Sequence, residues 1–248
     1  MKYKYDGINI VYDKIGKGDP LILLHGWGCD RKIFSHLVSN LLDHFTIYTI
    51  DLPGFGDSDE PLKPYKLDDY VNLLTNFIIQ NNIISPIILG HSFGGRIAIR
   101  YTSKTNITNK LILVDSAGIK PKNYFLVKLK IFKYKTKKKW LKLTKNVNAY
   151  LKLINSSGSN DYQNATPIMK QTLSKITKEH LEKDLKQIKT NTLIIWGKYD
   201  NTTPISDGKR INKLLVNSGL VVLNAGHFPH LEKPNQFLSI VKSYLGVE

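Results

Sequence analysis

Cysteine is almost absent: Cys29 is the one cysteine in 248 residues. No internal disulfide can form, and no cysteine-based metal site can be assembled. Cys29 follows a glycine-rich turn, Gly26-Trp27-Gly28. It is read as a small, partly buried filler rather than a reactive thiol, because no neighbouring feature supports reactivity. Long apolar runs are also missing, which excludes a membrane-spanning helix. The first residues, Met1-Lys2-Tyr3-Lys4-Tyr5-Asp6, lack the apolar core and cleavage site of a secretory signal. A cytoplasmic location is the resulting expectation. Arginine is scarce, with Arg31, Arg96, Arg100 and Arg210 alone. Phosphate recognition favours the planar arginine fork, so nucleic-acid binding is disfavoured despite a formal charge of +16.

Acidic residues are missing from one whole stretch. Residues 120–152 hold twelve lysines and no Asp or Glu, which leaves +4 for the remainder. The plain reading is a solvated face in a chain rich in lysine, asparagine and isoleucine. The sharper readings are a docking face for an acidic carrier protein or for an anionic membrane surface.

What is present is an alternation of strand and helix patterns. Residues 8–13 alternate as a strand, and Gly16-Lys17-Gly18-Asp19 reads as a hairpin turn. Residues 21–24 form a continuous apolar run, as expected for a strand buried on both faces. Strands follow at 45–50, 86–89 and 111–114, with helices at 67–81 and 93–103. Residues 118–187 read as helical without a convincing strand. The alternation resumes with strands at 192–196 and 220–223 and helices at 206–215 and 236–245. Such a chain implies an α/β fold with a mostly parallel, doubly wound sheet, interrupted by a helical insertion. The expected boundaries are a core of residues 1–117 and 188–248 and a helical cap of residues 118–187.

The strongest chemical signal is Gly90-His91-Ser92-Phe93-Gly94, set between an apolar strand and a helix. A serine there sits on a sharp strand-to-helix turn with its hydroxyl exposed, and glycines flank it where a Cβ would clash. A serine hydroxyl needs a base. His227, in a loop after the last strand, is the candidate, with Gly226 expected to let the loop swing inward; His230 is its rival. His36, His44 and His180 are expected on the surface, and His91 pointing away from the site. Asp200, just past strand 192–196, is the carboxylate expected to orient the base, with Asp115 as competitor. The order Ser92, Asp200, His227 is the order this architecture uses. The oxyanion donors are expected to be the backbone N–H groups of Phe93 and of Trp27 in His25-Gly26-Trp27-Gly28.

These motifs, together with Asp51-Leu52-Pro53-Gly54-Phe55-Gly56-Asp57-Ser58, resemble the α/β-hydrolase superfamily over nearly the whole chain, in particular its small capped serine esterases and the pimeloyl-carrier-protein methyl ester esterases. Serine at 92 disfavours the branches with an aspartate nucleophile. The loop 51–58 is read as structural rather than as a phosphate loop. The resemblance implies hydrolysis of a small or medium carboxylic ester through an acyl-enzyme, with no metal or organic cofactor. C–C bond hydrolysis, thioester hydrolysis and a non-catalytic ligand-binding role use the same fold and stay open. In such a family the cap shapes the acyl pocket. Trp27, Phe93 and Phe228 beside the triad, and Phe125 and Leu129 from an apolar stripe in the cap, are therefore the expected substrate contacts.

Overall fold

The computed structural model describes residues 1–122, 124–144, 146–155 and 158–248. Lys145, of the lysine-rich stretch, lies outside the described residues. Strands are β1 (Lys2–Tyr5), β2 (Ile8–Gly16), β3 (Asp19–Leu24), β4 (Phe45–Ile50), β5 (Ile87–His91), β6 (Lys110–Val114), β7 (Asn191–Gly197) and β8 (Ser218–Leu223). Helices of the sheet layers are α1 (Ser35–Leu41), α2 (Leu67–Gln80) and α3 (Phe93–Thr105). Between β6 and β7 come α4 (Tyr124–Leu143), α5 (Val147–Asn155), α6 (Asn160–Asn164), α7 (Pro167–Ile176) and α8 (Glu182–Leu185). After β7 come α9 (Ile205–Leu214), α10 (Pro229–Glu232) and α11 (Pro234–Leu245).

The strands form one sheet in the order β1-β2-β4-β3-β5-β6-β7-β8. The β1/β2 and β2/β4 pairs are antiparallel, and the rest are parallel. One local expectation fails here. Residues 16–19 do not close a hairpin, because β4 inserts between β2 and β3 and pairs with both. Glycine at a strand exit signals a turn but carries no information on the next strand's partner. The hairpin lies earlier, at Asp6-Gly7 between β1 and β2, where Asp6 has φ +49° and Gly7 φ +81°. The strand β1 escaped the sequence reading because Lys2 and Lys4 alternate with tyrosines at a charged sheet edge.

The central strands divide their side chains between two cores with period two. Ile22, Leu24, Ile88, Leu111, Leu113, Ile194 and Trp196 join one face with residues of α2, α3 and α9. Leu21, Leu23, Ile87, Leu89, Ile112, Val114, Leu193 and Ile195 join the other with residues of α1 and α11. An apolar run without polar interruption is what a strand covered on both faces requires.

Close backbone approach holds α3 to the sheet. The Gly94 N–H donates to the His25 carbonyl at 3.1 Å. A Cβ on Gly94 would lie 2.1 Å from the Leu24 carbonyl oxygen, and one on Gly90 would lie 2.6 Å from that of Gly94. Neither neighbour is a flexible side chain that can move aside. Gly94→Ala is expected to destabilise the fold by about 3 kcal/mol, the upper range for overpacking, read as a lower urea midpoint.

Candidate active site

Every side chain of the site leaves the carboxyl edge of the sheet. Ser92 sits between β5 and α3 with φ +48° and ψ −106°, a strained conformation for a residue with a Cβ. Strain of this kind persists where surrounding contacts over-determine it. Here the Ser92 N–H donates to the Val114 carbonyl at 2.9 Å, and its own carbonyl accepts from the Ala117 N–H at 3.1 Å.

His227 lies after β8, and its Nε2 is 3.0 Å from Ser92 Oγ. Its Nδ1 is 2.6 Å from Asp200 Oδ2. The Asp200 side chain has no exposed surface, and that of His227 is 14% exposed. Asp200 follows β7 and is saturated with donors. Its Oδ1 accepts from the N–H groups of Thr202 at 2.7 Å and Thr203 at 2.9 Å, and its Oδ2 from Thr203 Oγ1 at 2.6 Å. Burial pushes this carboxyl up, but hydrogen bonds from His227 and Thr203 outweigh burial and hold it at about 2. The arrangement orients an imidazole between an ionised carboxylate and a hydroxyl, which is the geometry needed to take a proton from serine.

The histidine loop is clamped by residues that the sequence reading did not single out. Glu232 accepts from the Gly226 N–H at 2.7 Å and from the Phe228 N–H at 3.2 Å. His91 Nε2 donates to the His227 carbonyl at 2.8 Å. The glycine that the approach demands is Gly197, not Gly226. A Cβ on Gly197 would stand 1.8 Å from the Gly226 carbonyl oxygen, whereas one on Gly226 would meet only the flexible end of Glu232 at 3.0 Å. A Glu five residues after a loop histidine carries no signal by itself; only the fold of α10 brings it back.

The rivals take other roles. His230 is buried against Phe34, His91 and Phe237, away from Ser92. Burial pushes its imidazole down to about 4, and burial likewise lowers His91 well below the ordinary range. His25 is buried and neutral: it accepts from the Leu52 N–H at 3.0 Å through Nε2 and bonds the Gly26 carbonyl at 2.7 Å through Nδ1. It thereby fixes the turn that presents Trp27. Asp115 accepts from the Gly197 N–H at 2.9 Å. Burial pushes its carboxyl up to about 9, with the neighbouring Asp200 carboxylate adding to the rise. A neutral Asp115 leaves Asp200 as the ionised member of the two neighbouring carboxyls. Cys29 is held by burial at about 11, so its thiol is protonated at neutral pH.

A cavity of about 300 Å³ opens on Ser92. Trp27, Phe93, Ile119, Leu173 and Ile176 supply apolar walls, and Arg96, His180 and Thr203 polar ones. His180 thus lines the cavity half-buried instead of standing on the surface. The Trp27 and Phe93 rings touch edge-to-face at 5.5 Å. Among the described residues neither the Trp27 nor the Phe93 N–H has a hydrogen-bond acceptor. Three expected substrate contacts lie elsewhere. Phe125 and Leu129 stand on an exposed face of α4, outside this cavity, because α4 turns its apolar stripe outward. Phe228 packs on His91 and His227, behind the imidazole. The loop 51–58 is tied by Arg31, which bonds Asp51 and reaches Asp57 at 2.8 Å, and Phe55 of this loop packs on Trp27 at 4.8 Å. Asp115, Asp200 and His227 also form the one cluster of cation-ligand type among the described residues, within 4.8 Å of one another. Both His227 nitrogens and both Asp200 oxygens are already engaged by hydrogen bonds, so the cluster fits proton transfer better than cation binding.

Two stability predictions follow from these charges. His25, His91 and His230 are neutral in the fold but charge below about 6.5 when unfolded. The unfolded chain then binds more protons, so thermal stability is expected to fall as pH drops from about 6.5 toward 4. Asp115 has the opposite sign: its raised value makes the folded chain hold a proton that the unfolded chain releases, so stability falls as pH rises from about 4 toward 9. Asp115→Asn keeps an acceptor for Gly197 and removes the titrating group. Melting curves are expected to show it more stable than the parent above neutral pH, by a margin that grows until about pH 9.

Known proteins are similar in sequence and fold. An esterase from Exiguobacterium antarcticum superposes with a TM-score of 0.75 at 24% identity, covering 97% of each chain. A pimeloyl-[acyl-carrier protein] methyl ester esterase from Wigglesworthia glossinidia brevipalpis is 28% identical over 93% of this chain and 95% of its own. A 2-hydroxy-6-oxo-6-(2'-aminophenyl)hexa-2,4-dienoic acid hydrolase from Metapseudomonas resinovorans is 24% identical over 96% of this chain and 88% of its own. The sequence model of the alpha/beta hydrolase family matches residues 21–240, from β3 through most of α11, and the chain belongs to that family of hydrolases.

Proposed function

We propose that this hydrolase cleaves a small or medium carboxylic ester through an acyl-enzyme, with Ser92 as nucleophile, His227 as general base and Asp200 as its orienting carboxylate. The observation that carries the reading is the continuous row Ser92 Oγ, His227 Nε2 at 3.0 Å, and His227 Nδ1 to Asp200 at 2.6 Å, opening on a cavity with apolar and polar walls. Ser92 Oγ attacks the ester carbonyl while His227 takes its proton. Asp200, ionised throughout, stabilises the imidazolium. The N–H groups of Phe93 and Trp27 donate to the oxyanion, a contribution worth about 2.7–4 kcal/mol per donor in related chemistry. His227 returns the proton to the departing alcohol, and water then repeats the sequence on the acyl-serine. In this reading residues 118–187 form a cap, since α7 and the segment before α8 supply Leu173, Ile176, Thr177 and His180 to the cavity wall.

C–C bond hydrolysis is the second reading, favoured by the similarity to the Metapseudomonas dienoic acid hydrolase. It would use the same serine, so a panel of esters, thioesters and diketones separates the two by rate.

Ser92→Ala is expected to fold as the parent does and to lose p-nitrophenyl ester turnover by about 10⁶-fold, with loss of fluorophosphonate labelling. Asp200→Asn is expected to lower kcat by about 10⁴-fold while retaining the label site. Undiminished turnover by Ser92→Ala would remove the assignment.

A further inference from the structure

The helix α4 is 20 residues long, about 30 Å, and its chief neighbour is α5. It buries Leu141 toward the protein. Phe125, Leu129, Phe132, Trp140 and Leu143 follow one another at spacings of three, four or eight residues, so they lie on a single face. That face looks away from Leu141, and these five side chains are 40–78% exposed. Lysines border the stripe on both sides. Lys128, Lys135, Lys139 and Lys142 form one flank, and Lys133 and Lys137 form the other. No carboxylate occurs between residues 120 and 152, and among the described residues no lysine of α4 forms an ion pair.

The apolar stripe faces water, with Leu126 and Ile131 also exposed among the lysines beside it, while the partly covered side carries Tyr134, Lys138 and Leu141. We propose that this outward face of α4 seats on the surface of an anionic lipid bilayer, with the aromatic and aliphatic stripe entering the headgroup–acyl boundary. Lysines flanking such a stripe keep their stems along apolar surface and reach anionic headgroups with their ammonium groups. Charge decides against a second copy as the occupant, because two lysine-bordered faces would repel. The apolar stripe decides against an acidic protein surface, which the lysines alone would suffice to bind.

The test is flotation of the full chain with vesicles of phosphatidylcholine, with or without about one-third phosphatidylserine. Binding is expected to the anionic vesicles at low salt, weaker by about tenfold or more on neutral vesicles and in high salt. The triple variant Phe125→Ser, Phe132→Ser, Trp140→Ser keeps the charge. It is expected to melt as the parent does, since its three sites are exposed, and to bind about tenfold less or weaker still. Brominated lipid should quench Trp140 fluorescence, and Trp140→Phe should remove that quenching. Ser92→Ala should bind as the parent does, which separates this surface from the hydrolytic reading. No binding to anionic vesicles at low salt, or equal binding by the triple variant, overturns the proposal. So does salt-sensitive binding to an acidic acyl-carrier protein without any binding to vesicles.

Discussion

Parallel strand pairing is the constraint on which the rest depends. β5, β6, β7 and β8 run in the same direction and in continuous register, so their carboxyl ends share one edge. Ser92, Asp115, Asp200 and His227 each follow one of these strands, and residues far apart in the chain come within hydrogen-bond reach there. The edge is also crowded. Gly94 against Leu24 and Gly197 against Gly226 bring backbones closer than any Cβ permits. The chemistry therefore rests on two glycine contacts that carry no functional group.

Electrostatics at that edge is selective. Beside His227, Asp200 is surrounded by enough donors to keep its charge, while the neighbouring Asp115 is held neutral and His91 and His230 remain uncharged. A neutral Asp115 leaves Asp200 as the carboxylate that bonds the His227 imidazole. Glu232 adds a mechanical element by gripping the backbone on either side of His227, which fixes the imidazole without touching it.

The segment between β6 and β7 divides its work. Its later part, α7 and the turn before α8, closes the cavity over Ser92. Among the described residues its first helix contributes nothing to that cavity and turns apolar and basic residues outward instead. Wall and surface are built from one insertion.

The sequence by itself determined the alternation of strands and helices, the elbow around Ser92 and the residues able to serve as acid and base. These are local patterns: period-two burial, glycines beside a strained serine, and polar residues at strand exits. Tertiary structure alone decided that β4 separates β2 from β3, that Asp115 is a neutral neighbour of the carboxylate bonded to His227, and that Glu232 clamps the histidine loop. It also decided that the stripe of Phe125 and Leu129 faces outward, since periodicity gives a helix its apolar face but not the direction in which that face points. Pairing partners, carboxyl charge states and the orientation of an amphipathic helix are properties of what surrounds a residue, and those surroundings come from segments distant in the chain.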